Sequence, residues 1–147
     1  MLKIREVNRE DLKPLCKLYT RFRDEAMPEF DEKIETIWSS ILADKNHHII
    51  VGEEAGQIVS SVSVIIIPNL NHDQRPYALV ENVITLPEYR GKGYASALLD
   101  CAKSIAQSEN CYKIMLMTGS KLPETLNFYE KAGYNKTDKT AFIQWLD

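Results

Sequence analysis

The stretch Val83-Ile84-Thr85-Leu86-Pro87-Glu88-Tyr89-Arg90-Gly91-Lys92-Gly93-Tyr94-Ala95 holds the end of a strand, a turn and the start of a helix. The apolar strand formers Val83 and Ile84 run into Pro87, which cannot continue a sheet ladder. Beyond the turn, Ala95, Leu98, Leu99, Ala102, Ile105 and Ala106 recur at helical spacing, predicting an amphipathic helix over Gly93 to Gln107. N–H groups in a first helical turn have no internal partner, and the helix dipole adds partial positive charge there. Gly91 and Gly93 carry no Cβ, so a phosphate can come close to those amides, with Arg90 and Lys92 adding charge beside them. An ordinary glycine-containing connection with two solvated cations has the same local sequence. The dinucleotide pattern G-x-G-x-x-G fails because Ser96 occupies its third glycine position, and no G-x-x-x-x-G-K-[ST] is present.

Upstream, Leu2 to Val7 alternates as a first strand, and Asn8 or Asp11 can cap a helix with Leu12, Leu15, Cys16, Leu18, Tyr19 and Phe22 inward. Pro28 interrupts, and Asp31 opens a second helix with Ile34, Ile37, Trp38, Ile41 and Leu42 inward. His48 to Val51, a turn over Gly52 to Gln57, and Ile58 to Ile67 read as a hairpin. Pro68 to Pro76 is a polar loop, and Tyr77 to Leu86 is the strand that enters the turn. Downstream, Tyr112 to Thr118 is apolar on both faces, as at a sheet centre. Pro123 suits the first turn of another helix, Gly133 its C-terminal left-handed position, and Ala141 to Leu146 is expected to close the sheet. The order is β-α-α-β-β-β-α-β-α-β, an α+β fold around a mixed central sheet, expected as a single domain over residues 1–147.

Composition narrows the function. With 147 residues, 44% apolar and 27% charged, the chain can bury a sizeable core. A net charge of −3 provides no basic field for nucleic acid. Cys16, Cys101 and Cys111 are scattered without metal-ligand spacing, which speaks for reduced thiols rather than disulfides or a zinc site. Met1-Leu2-Lys3-Ile4-Arg5-Glu6 is charged at once, so no signal peptide is expected. The apolar run Val62 to Ile67 is too short to span a bilayer. A cytoplasmic protein without membrane association follows as the expectation.

The turn and a second segment together resemble the GNAT superfamily of N-acetyltransferases. Arg90, Gly93 and Ala95 fill the family's acetyl-CoA signature [Q/R]-x-x-G-x-[G/A], and Leu126-Asn127-Phe128-Tyr129-Glu130-Lys131-Ala132-Gly133-Tyr134 resembles its "FYEKxGF" segment. The element order agrees along nearly the whole chain. The resemblance implies two parallel strands, residues 77–86 and 112–118, that splay apart. Acetyl-CoA would lie in the gap: its pantetheine along the backbone of Val83, Ile84 and Thr85, freed by a bulge near Asn82, and its diphosphate on the amides of Arg90, Gly91, Lys92, Gly93, Tyr94 and Ala95. One departure is Leu122, where many members carry an Asn that helps hold coenzyme A; Asn127 lies elsewhere on the helix and does not inherit that role.

Acetyl transfer needs an uncharged amine and a proton for the departing thiolate. By the resemblance, Tyr129 is the acid. A phenol titrates near pH 10, above a thiol, and so keeps a proton to give, although a core-filling aromatic would fit the same position. Glu81, flanked by Leu79, Val80, Val83 and Ile84, is expected to be partly desolvated, which suits a general base acting through water. A Glu facing a solvent-filled cleft is the alternative. His47, His48 and His72 are read as surface histidines. Between the first two helices, Asp24, Glu25, Glu29, Asp31, Glu32 and Glu35 form either an acidic rim for a cationic amine or simply solvated helix faces. The expected activity is direct acetyl transfer from acetyl-CoA to an amine in a ternary complex, with no metal and with a homodimer left open. A non-catalytic acyl-CoA-binding module is the alternative.

Overall fold

The computed structural model describes residues 1–147. A five-stranded sheet runs in the order β1 (Lys3–Glu6), β2 (His47–Glu54), β3 (Gln57–Ile67), β4 (Tyr77–Thr85) and β5 (Ile114–Leu116). The first four strands are mutually antiparallel, whereas β4 and β5 are parallel. A parallel pair needs a crossover, and α4 (Tyr94–Ser108) supplies it. The other helices are α1 (Leu12–Arg23), α2 (Glu32–Ala43) and α5 (Pro123–Lys131). A four-residue turn, α3 (Asn71–Gln74), holds His72 and Asp73 at positive φ within the expected polar loop.

Each face of the sheet has its own core. Leu12, Leu15, Leu18 and Trp38 from α1 and α2 pack on Ile49, Val51, Val59, Ile84 and Leu86. On the other face, Leu98, Leu99, Ala102 and Ala106 of α4 pack on Ile50, Val62, Val64, Ile66, Ala78 and Val80, joined by Phe128 and Tyr129 of α5. Leu98 is fully buried, so its replacement by alanine should cost about 2–5 kcal/mol.

Local chemistry sets the element ends. The Asp31 carboxylate accepts the Ile34 N–H at 3.1 Å and starts α2. Asn8 caps a single turn over Arg9–Asp11, and α1 follows it. Asp11 is drawn inward, where Arg5 donates to both its oxygens at 2.6 and 3.0 Å and the Asn8 N–H donates at 2.8 Å. These donors, Arg5 foremost, hold the Asp11 carboxyl below its ordinary value. The β2–β3 hairpin turns on Ala55 and Gly56, both at positive φ, the two-residue geometry that matches strand twist. Gly52, expected in that turn, instead lies buried inside β2, where a Cβ would meet Leu2 Cδ1 at 2.9 Å.

One expected strand is missing. Ala141 to Leu146 has no helical or strand pairing and is exposed throughout, so it does not close this chain's own sheet. A strand exists only where another lies beside it, and nothing in the local sequence specifies that neighbour. For the same reason the 112–118 strand contracts to Ile114–Leu116.

Candidate active site

Strand β4 hands over to α4 through Pro87–Tyr89, a single turn closed by the Tyr89 N–H on Leu86 O at 2.9 Å and the Arg90 N–H on Pro87 O at 3.2 Å. Gly91 and Gly93 follow at φ 75° and 79°, a region that costs other L-residues about 1–2 kcal/mol. Gly93 occupies the cap of α4 with no side chain to satisfy the first helical amides. The first helical bond of the cap runs from the Ala97 N–H to Gly93 O, at 3.0 Å. The amides of Tyr94, Ala95 and Ser96 therefore point out of the helix start without intrahelical acceptors. A Cβ placed on Gly91 or Gly93 would meet nothing within 4 Å, so the space in front of these amides is open. Bare amides, a dipole and open space suit a diphosphate.

The side chains of the turn behave less uniformly than the sequence suggests. Lys92 Nζ lies 3.9 Å from Glu54 Oε2 and over the rings of Tyr89 and Tyr94, at 5.1 and 5.8 Å from their centroids. The Tyr94 hydroxyl donates to the other Glu54 oxygen. Lys92 and Tyr94 thus brace the turn against β2, and what they offer an anion is backbone. Arg90 is exposed and donates through Nε to Thr85 O at 3.3 Å, tying the turn back to the end of β4. Glu54 was absent from the sequence reading, because its contact spans forty positions and has no local pattern.

Beside the turn the sheet opens. β4 and β5 pair only at Ala78–Ile114, Leu79–Met115 and Val80–Leu116; from Glu81 to Thr85 the same edge of β4 has no strand neighbour. On its other side, β4 gains one residue against β3, since Ser61 pairs with Ile84 and Ser63 with Glu81, and Asn82 sits at φ 53°. That is the bulge expected near Asn82. The Leu86 N–H bonds to Val59 O, so strand alternation turns the Ile84 backbone toward β3 and that of Thr85 toward the opening. Ser60 Oγ reinforces this by donating to Ile84 O at 3.1 Å, and it shares a 2.8 Å hydrogen bond with Thr85 Oγ1. Ile84, expected to touch the cofactor, is thereby corrected: its side chain is buried in the core and its amide faces β3. Val83 and Thr85 are half-buried at the opening.

The two acid–base candidates flank this opening from opposite faces of the sheet. Glu81 pairs across from Ser63, on the face covered by α1 and α2, whereas Tyr129 joins the core cluster on the α4 face. Glu81 is exposed, so the burial expected from its apolar sequence neighbours is absent. Tyr129 is half-buried, and burial raises its phenol above the ordinary value. Its ring meets Phe128 and Tyr134 edge-on at 5.1 and 6.2 Å. Tyr134, whose buried hydroxyl finds no protein partner, is pushed up to about 12 by burial and by Tyr129 and Asp100. The sequence placed Tyr134 in a motif without giving it a task; its position beyond the Gly133 turn was the available signal. Leu122 caps α5 with an exposed side chain and offers no polar group, and Asn127 is exposed. His48 bonds Glu6 at 2.7 Å on the far side of the sheet edge, and His72 stacks on Tyr112 at 4.1 Å.

With this geometry in hand, comparison with known proteins is direct. Residues 12–134 match the model of the acetyltransferase (GNAT) family. A glucosamine 6-phosphate N-acetyltransferase of Trypanosoma brucei brucei is 34% identical over 87 residues, which span 59% of this chain and 57% of that enzyme. A candidate acetyltransferase from Agrobacterium tumefaciens str. C58 has a solved structure that matches with a TM-score of 0.88 at 32% identity, covering 97% of this chain and 99% of that one. The glucosamine-6-phosphate N-acetyltransferase of Arabidopsis thaliana shares the fold at a TM-score of 0.85 and 23% identity, over 100% of this chain and 99% of its own.

Proposed function

The chain belongs to the GNAT family of acetyltransferases, and from that premise we propose that it acts as a single domain moving an acetyl group from acetyl-CoA onto the amine of a small acceptor. The observation that carries this reading is the uncapped start of α4 behind Gly91 and Gly93, set at the mouth of the opening between β4 and β5. Gly91, Lys92, Gly93, Tyr94 and Ala95 hold the diphosphate through their amides; the Arg90 N–H, expected among them, is committed to Pro87 O, so Arg90 contributes only its charge beside the turn. Val83 and Thr85 receive the pantetheine arm along the unpaired edge of β4. No helix of the chain is long and apolar enough to cross a membrane. The reading includes a cytoplasmic location, in keeping with three unpaired cysteines, and a homodimer.

The acceptor approaches from the face of Glu81 and the thiol leaves toward Tyr129. Glu81, being exposed, works through water: it takes a proton from the ammonium of the acceptor, and the freed nitrogen lone pair attacks the thioester carbonyl carbon. The carbon–nitrogen bond forms and the carbon–sulfur bond breaks, the thiolate takes the Tyr129 proton, and the second proton of the attacking nitrogen, lost as the amide forms, restores the phenol through water, leaving one net proton on Glu81 to pass to solvent. The phenol is the weaker acid of the two, and burial weakens it further, so Tyr129 donates as negative charge builds on sulfur rather than before. Binding both substrates side by side supplies the remaining advantage, by making the attack intramolecular.

Glucosamine 6-phosphate is the first acceptor to test, because it names the activity of the Trypanosoma relative. Release of free thiol from acetyl-CoA, followed across amino sugars, their phosphates, polyamines and amino acids, decides the matter when paired with product mass. A gain of one acetyl group on one acceptor class is expected. Coenzyme A binding without release for any amine would overturn the enzyme reading in favour of a binding module.

A further inference from the structure

Helix α1 carries Lys13, Lys17, Arg21 and Arg23 and no acidic residue, although the chain as a whole has a net charge of −3. Three of these cations recur every four residues and so share one face of the helix. That face borders a cleft of about 360 Å³ formed by α1, the tip of the β2–β3 hairpin and the residue that ends β4. The exposed Lys13, Lys17 and Arg21 form its rim, the buried Leu18, Ile58 and Leu86 its floor, and no lining residue is acidic.

The chain relieves this concentration of charge only in part. Like charges four residues apart on a helix repel, and Lys13 stands in the first turn, where the helix dipole disfavours a cation. Lys13 rests over the Phe30 ring, 5.2 Å from its centroid, and Arg21 pairs with Glu88 of the turn that leads into α4. Glu54, just before the hairpin tip, is engaged by Lys92 and Tyr94, and Glu25, just beyond α1, by Arg23. Lys17 has neither an ion pair nor a ring beneath it.

We propose that this cleft binds a small phosphate monoester with an apolar organic part, the dianion lying among Lys13, Lys17 and Arg21 and the organic part on Leu18, Ile58 and Leu86. Three converging cations favour a ligand with more than one negative charge at a single point, which a phosphate monoester supplies and a carboxylate does not. The apolar floor offers no hydrogen bonds to a bare inorganic ion, whereas an aromatic or aliphatic group gains by covering it. The volume is that of a small-ligand pocket, about 300–1,000 Å³, which argues for a metabolite rather than a macromolecular surface. The site is distinct from the acetyl-transfer centre: Leu86 lies five residues beyond Glu81, about 16 Å along an extended chain, and α1 covers the face of the sheet opposite α4. The proposal therefore holds whether or not the chain transfers acetyl groups.

Phenyl phosphate is the probe, titrated by calorimetry into the full chain saturated with coenzyme A, so that the amides at the start of α4 are already occupied. One-to-one binding is expected, about tenfold or more tighter than that of inorganic phosphate or of benzoate. Lys17→Gln should weaken it about fivefold, and Lys13→Gln combined with Lys17→Gln about twentyfold or more. Both variants should keep the parent's melting temperature and coenzyme A affinity, since these side chains stand in water. Absence of saturable binding at millimolar probe, equal affinity for inorganic phosphate, or binding that survives the double substitution would overturn the proposal. Binding seen only without coenzyme A would place the anion on the α4 turn and overturn it too, leaving the acetyltransferase reading intact. Should coenzyme A itself fail to bind, that reading fails on its own, and the lysine substitutions still decide this one.

Discussion

Replacing Gly93 by alanine separates the two tasks this residue performs. Its φ of 79° lies in the left-handed region, where a Cβ costs about 1–2 kcal/mol in any folded protein. No protein atom lies within 4 Å of the new methyl group, so no steric clash adds to that strain. Stability should therefore fall by about 1–2 kcal/mol, and for a domain of this size the melting temperature by a few degrees. Coenzyme A affinity should fall much further, because the methyl fills the approach to the amides of Tyr94, Ala95 and Ser96. A hydrogen bond to a charged group contributes about 1.5–3 kcal/mol. Loss of one such bond weakens binding by about 10- to 100-fold, since 1.4 kcal/mol corresponds to tenfold. Gly56→Ala is the control: it has the same φ of 79° and the same open surroundings, at the tip of the β2–β3 hairpin. Calorimetric titration with coenzyme A, beside thermal melts of both variants, gives the comparison. Equal stability losses with affinity reduced only in Gly93→Ala support the argument. If Gly93→Ala binds coenzyme A within twofold of the parent, the diphosphate does not sit on these amides and the assignment of the turn is refuted.

Tyr129→Phe should lower turnover by about 100-fold or more with coenzyme A affinity nearly unchanged, as single-turnover kinetics and calorimetry would show; unchanged turnover removes Tyr129 from the chemistry. Because burial raises this phenol, turnover should show no alkaline limb from Tyr129 below about pH 10, and a limb near pH 8 that vanishes in Tyr129→Phe would contradict the placement. Glu81→Gln should make kcat/KM climb steadily with pH as hydroxide takes over the base role, so a pH profile identical to that of the parent would exclude Glu81 as the base. Asp11→Ala should cost about 2 kcal/mol in urea unfolding at pH 7. That is below the 3–5 kcal/mol of a fully buried pair, because Arg5 keeps 24% of its side chain exposed. Since the folded Asp11 carboxyl is held below its ordinary value, its contribution is complete above about pH 4 and disappears as pH falls through the folded-state value. The gap between parent and variant should therefore close in acid, and a gap that stays constant down to pH 2 would assign the loss to packing.

What the sequence disclosed follows the range of the interactions involved. The turn that leads into α4 was legible because every part of it is local: Pro87 ends a ladder, two glycines permit positive φ, and the helical period of Ala95 to Ala106 announces a helix start. The caps at Asn8 and Asp31 and the polar loop at 68–76 were legible for the same reason. The burial of Glu81 was misjudged because it depends on what packs over its face of the sheet, which no local pattern specifies. Its apolar neighbours in sequence say what the two faces of β4 look like, but not that the position of Glu81 itself stays open to water. Glu54, which anchors Lys92 and Tyr94, escaped notice on the same ground.

The contrast between Glu81 and the final segment carries the reasoning one step further. For Glu81 the periodicity was right and the environment wrong, because nothing packs over its side chain. For Ala141–Leu146 the apolar pattern calls for two covered faces and a paired backbone, and the chain provides neither. Such a pattern, placed where water reaches every side chain, has a free-energy cost that scales with apolar area.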